Sequence, residues 1–121
     1  MDKKNTQELL EYILQSIDMI QKRFQIINQS DDFMKDDDGM EKLDSISMRL
    51  QTIGEALKNI YKTDPSVLES IAEKEYWSTI IKFREVISHH YIDINSEIVF
   101  EICDDELDEL KEKVTILLQK K

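Results

Sequence analysis

Leu43, Ile46, Leu50, Ile53, Leu57 and Ile60 follow one another at steps of three, four, three, four and three. That rhythm draws one face of an α-helix and does not suit a strand, whose side chains alternate with a period of two. The spacing predicts a long helix with a single buried seam. Gly54 lies inside the seam. Glycine there costs a helix up to ~1 kcal/mol relative to alanine, so it marks a place where another element comes close.

Further stripes complete the picture. Leu9, Ile13, Ile17, Ile20, Phe24 and Ile27, widened by Leu10 and Leu14, predict a first helix from about Asn5 or Thr6 to about Asn28. Lys62-Thr63-Asp64-Pro65 ends the seam helix, because the residue before a proline is pushed out of the α region. A short helix is expected over 66–72. The next helix is expected from about Tyr76 into 82–91, with Trp77, Ile80, Ile81, Arg84, Ile87, Ser88 and Tyr91 on one side. Residues 92–95 interrupt the pattern. Asn95 or Ser96 can then cap a helix holding Ile98, Val99 and Ile102. Leu107, Leu110, Val114, Leu117 and Leu118 predict a last helix from near Asp104, acidic at its start and basic at its end, as a helix dipole favours. Two glycines and one proline in 121 residues leave little punctuation for strands. The expected fold class is all-α: one domain over 1–121, an antiparallel helical bundle of four main helices plus one or two short ones.

The formal net charge is −10, so the average field repels nucleic acid and any such partner needs a local basic patch. Residues 31–41 carry six acids against Lys35. Their aspartates neither alternate nor close with a glutamate as calcium loops do, so a solvated loop that caps the next helix is expected. A single cysteine, Cys103, excludes an internal disulfide and fits a reducing compartment. Asp104, Asp105 and Glu106 follow it directly, so it reads as a small hydrophobe and not a reactive thiol. No apolar run approaches the ~18 residues of a membrane span, and nothing near Met1 resembles a signal peptide. A cytoplasmic, membrane-free protein is expected.

The chemistry concentrates in Lys82-Phe83-Arg84-Glu85-Val86-Ile87-Ser88-His89-His90-Tyr91. Imidazole exchanges protons near neutrality, and guanidinium matches the oxygens of a phosphate. A site for phosphate-ester chemistry belongs here. On an ideal helix Arg84 and Tyr91 nearly coincide in direction, while His89 points about 140° from Arg84. Either the helix unwinds near Ser88 or a second subunit completes the site. His90 reads as a solvent-facing bystander. His89 and Asp93 form an i,i+4 pair, but two ligands do not make a metal site. Tyr76, Trp77 and Phe83 read as core or interface, and Lys74, Lys82 and Arg84 are the local positive groups.

The R-x4-H-x-Y spacing of Arg84, His89 and Tyr91 resembles the signature of the HEPN superfamily, specifically the HepT-like ribonuclease toxins. The segment Ile53-Gly54-Glu55-Ala56 resembles the I-G-E-A stretch of that family's second long helix, and residues 91–100 resemble its post-motif segment. The resemblance implies an all-α homodimer with both motifs facing a shared cleft. It implies metal-independent and cofactor-independent cleavage of RNA and not DNA. It implies a minimal nucleotidyltransferase antitoxin as partner, which in some pairs attaches AMP to the motif tyrosine, here Tyr91. The catalytic residues so implied are Arg84 and His89, with Tyr91 and Glu85 in support. Glu85 departs from the family's common small polar residue at that place. It can orient Arg84 or His89, or neutralise the arginine's field. The alternative reading is a non-catalytic helical partner subunit of a nucleotidyltransferase.

Overall fold

Three amphipathic stretches become the frame. In the computed structural model, which describes residues 3–90 and 93–120, α1 spans Lys3–Phe24, α2 spans Asp37–Thr63 and the last helix, α7, spans Leu107–Gln119. The Tyr12 hydroxyl donates to Thr52 Oγ1 at 2.7 Å and pins α1 to the middle of α2. Lys111 pairs with Asp18 at 3.0 Å, and Gln21 Nε2 donates to Asp108 Oδ1 at 2.8 Å. The contacts climb α1 as they descend α7, so the two helices are antiparallel. Ile13, Ile17, Ile20, Ile46, Leu50, Ile53, Leu57 and Ile60 are fully buried between them. Truncating one such side chain to alanine costs roughly 2–5 kcal/mol.

The connections refine the expected boundaries. α1 closes at Phe24 and not near Asn28. The chain turns there, with Ile27 N–H donating to the Phe24 carbonyl at 2.9 Å, and Ile27 enters the core from the turn. The acidic segment is more ordered than a solvated loop. A 3-10 turn, Ser30–Phe33, buries Phe33 completely. The Asp32 carboxylate accepts from Asn28 N–H at 2.8 Å and Gln29 N–H at 3.3 Å. The Asn28 bond leads in holding its pKa below the ordinary value. Asp36 does cap α2, accepting from Gly39 N–H at 2.7 Å. A Cβ on Gly39 would collide with the Asp32 carbonyl, so the turn seats against the first turn of α2 only because that residue is glycine.

Pro65 opens α3, Pro65–Glu69, as its preset φ favours. α4 spans Lys74–Ile81 and is tied to α3 by Trp77, which is fully buried and donates from Nε1 to the Leu68 carbonyl at 2.8 Å. Beyond it come α5, Phe83–Ile87, a short antiparallel pairing of β1, Ser88–His90, with β2, Asp93–Ile94, and α6, Ser96–Glu101. Asn95 caps α6, its side chain accepting from Ile98 N–H at 3.1 Å. A π-helical turn, Ile102–Glu106, carries the chain into α7 and sets the start of that helix three residues later than expected. Apart from the β1–β2 pair, this is the all-α bundle that the stripes predict. No described helix is long and apolar enough to cross a membrane.

Candidate functional site

The motif helix is not one helix. α4 ends at Ile81, the chain bends at Lys82, and α5 is only Phe83–Ile87. Glu85 N–H donates to the Lys82 carbonyl at 2.9 Å, a tightened i→i+3 turn that restarts the helix. The bend lets Ile80, Phe83 and Ile87 all reach the core. Arg84 is left at its edge with a side chain 45% exposed.

The helix then unwinds at Ser88, the first of the two arrangements that the spacing left open. Ser88–His90 is extended and pairs with Asp93–Ile94, and Asn95 N–H donates to the Ile87 carbonyl at 3.1 Å. His89 therefore leaves the helix direction of Arg84 just after α5. His89 and Asp93 lie in the extended chain of β1 and β2, so they are not neighbours on a helical face. The helix that carries Arg84, α5, stops at Ile87. Tyr91 itself lies outside the described residues.

Arg84 points toward α2, where it is ion-paired with Glu55. Both partners are half exposed, so the pair adds about 0–1 kcal/mol to stability. Its consequence is orientation, since it fixes where the guanidinium sits between two helices. Gly54, next in line on α2, lets this happen. A Cβ there would lie 3.1 Å from the Ile81 carbonyl, tighter than an ordinary contact, so α4 reaches α2 closely just before the bend.

Where the helices diverge they leave a groove of about 310 Å³. From α2 it takes Glu55, Lys58 and Tyr61, and from the motif side Lys74, Ser78, Lys82, Arg84 and Glu85. Four cations face two carboxylates, a local excess of +2 in a chain of −10. Tyr61 donates its hydroxyl to Glu69, and this bond leads in raising its pKa to about 12, so the phenol stays neutral. Lys58 has no counterpart in the sequence reading. It sits 26 residues before Arg84, and only the packing of α2 on α4 brings them together. The signal that existed was its i,i+3 relation to Glu55 on one face of α2.

Glu85 lines the same groove as Arg84. Tyr76 and Trp77 meet edge to face at 5.0 Å, and Lys113 lies 4.9 Å from the Tyr76 ring centre. Those aromatics, with the buried Phe83, are packing residues. Cys103 is buried, and that burial pushes its thiol up to about 12, as a structural and unreactive cysteine requires. A second hollow of about 330 Å³ at the opposite pole of the charge distribution holds Glu97, Glu101, Asp104 and Asp105 with Asn28, Gln29 and Phe100.

Comparison with known proteins gives two matches to this chain. The family described as Ribonuclease HepT-like matches residues 13–117. A protein of Caldanaerobacter subterraneus subsp. tengcongensis, named as a candidate RNase, is 32% identical over 118 residues, covering 97% of each chain. No solved structure matches.

Proposed function

The chain belongs to the HepT-like ribonuclease family, and from that premise we propose that it is the endoribonuclease toxin of a toxin–antitoxin module. Arg84, His89 and Tyr91 form its working motif, and two copies share one cleft. The observation that carries this is the placement of Arg84. It stands half exposed in the lining of a cationic groove, shortly before the helix ends and His89 leaves it.

The reaction needs no metal. The His89 imidazole takes the proton of a ribose 2′-hydroxyl, and the 2′-oxygen attacks the adjacent phosphorus. The P–O5′ bond breaks, and a second imidazole, His89 of the other copy, returns a proton to the leaving oxygen. The products are a 2′,3′-cyclic phosphate and a free 5′-hydroxyl. The guanidinium of Arg84 offsets the charge that accumulates on the phosphorus oxygens. Its five donors let it keep Glu55 on one edge and present the other to phosphate. A minimal nucleotidyltransferase antitoxin, attaching AMP to Tyr91, would silence the toxin by blocking a residue of its motif.

The test is cleavage of single-stranded RNA by the purified protein. His89→Ala is expected to lower the rate about 10²–10⁴-fold. A variant as fast as wild type ends the assignment.

The second reading is a non-catalytic partner subunit for a nucleotidyltransferase. It draws on the carboxylates of Glu55 and Glu85 in the groove of Arg84, which compete with a phosphate for the guanidinium. Growth arrest on expression alone, relieved by Arg84→Ala, singles out the toxin; expression without arrest favours the partner subunit.

A further inference from the structure

The catalytic motif accounts for Arg84 but not for the three lysines that share its groove. Lys74, Ser78 and Lys82 lie at four-residue steps along α4 and the bend that follows, ~6 Å apart along the axis. Lys82 N–H still donates to the Ser78 carbonyl at 3.1 Å, so the row is continuous through the end of the helix. Lys58 faces that row from α2, and Arg84 closes its end. None of the ion pairs among the described residues involves Lys58, Lys74 or Lys82. The lysines that do pair with acids lie elsewhere in the bundle, as Lys42 does with Asp38 and Lys113 with Glu109. In a chain of net −10, three unpaired ammonium groups gathered on one groove leave positive charge that no side chain among them satisfies.

We propose that this groove is the track for the RNA strand on one side of the cut, with Lys58, Lys74 and Lys82 each holding a phosphate flanking the one at Arg84. The proposal rests on the ribonuclease reading for its direction and adds the residues that bind substrate away from the broken bond. A row of point charges suits a flexible single strand, because an ammonium group accepts phosphate from many directions, unlike a bidentate arginine. The groove's apolar members, Ile81 and the ring of Tyr61, offer a surface against which a splayed base can lie. Glu55 and Glu85 keep the attraction local by confining the positive field to the lysine row and the outer edge of Arg84.

The experiment measures binding and not cleavage. In a His89→Ala background, the affinity for a fluorescent single-stranded oligoribonucleotide is followed by anisotropy across a range of salt. Each of Lys58→Gln, Lys74→Gln and Lys82→Gln is expected to reduce the slope of log affinity against log salt by about 0.7, which is about fivefold in affinity at about 0.1 M salt. Lys58→Arg keeps the slope, and Lys62→Gln, on α2 but outside the groove, does not move it. Slopes unchanged in the three glutamine variants overturn the proposal. So does AMP competing as well as the oligoribonucleotide, which would make the groove a mononucleotide site. Wild-type protein that binds with the expected slopes but does not cut RNA removes the ribonuclease reading and leaves the track standing.

Discussion

Two hollows among the described residues are nearly equal in size and opposite in charge. The groove between α2 and α4–α5 is about 310 Å³ and holds four cations; the hollow beside α6 and the π-helical turn is about 330 Å³ and holds four carboxylates. A pI near 4.6 describes neither. The acidic pole repels a polyanion from most directions, and the groove is where approach becomes favourable. Net charge thus describes the molecule seen from afar, while the packing of two helices decides where positive charge is gathered.

The scaffolds beneath the two hollows should differ first. Trp77→Ala, at the fully buried support of the basic groove, is expected to cost about 3–5 kcal/mol in urea unfolding. Phe100→Ala, in the wall of the acidic hollow, removes a half-buried ring that meets Phe24 edge to face at 5.2 Å. It should cost about 2 kcal/mol. Equal losses would mean that both hollows are framed alike.

Function should separate them next. Arg84→Ala is expected to lower kcat/KM for RNA cleavage about 10²–10³-fold while shifting unfolding by no more than about 1 kcal/mol. The combined change Glu101→Gln, Asp104→Asn, Asp105→Asn removes three charges from the acidic hollow. It should leave cleavage within about twofold, since surface charges far from a site act through a screened field. A large activity loss from the acidic triple would break the comparison. A large stability loss from Arg84→Ala would show the Glu55 pair to be structural.

The smallest expected effect is a pH dependence under the acidic hollow. The folded pKa of Asp32 lies below its ordinary value of 3.8, chiefly through the Asn28 N–H. Its contribution is present above that ordinary value and is lost as pH falls through the folded pKa. Asp32→Asn should therefore be less stable than wild type at neutral pH, and the gap between their urea midpoints should narrow in acid. A gap independent of pH would show that the carboxylate charge does not hold the turn.

Fold and site were not equally legible in the sequence. The stripes of α1, α2 and α7 were plain because helical periodicity is local and these helices bury one continuous face. The family motif named Arg84 and His89, and the 140° conflict between them on an ideal helix pointed to the unwinding found at Ser88. The bend at Lys82 was hidden, because Trp77, Ile80, Ile81, Arg84 and Ile87 keep helical spacing straight across it. Phe33 and Asp32 were hidden inside an acidic run whose composition suggested only solvent. Glu55 was visible only as part of a resemblance; its pairing with Arg84, like the place of Lys58, depends on how closely two helices approach at Gly54. Tertiary distance has no local signature, and the glycine was its only trace.

The bond from Asn95 N–H to the Ile87 carbonyl clasps the motif segment at its base. α5 stops at Ile87 and Asn95 caps α6, so this bond ties two helix ends together across the motif segment. Ile87 is buried and Ile94 packs against the core, so the bundle grips the segment at both margins. A change at either isoleucine should therefore register in stability before it registers in chemistry.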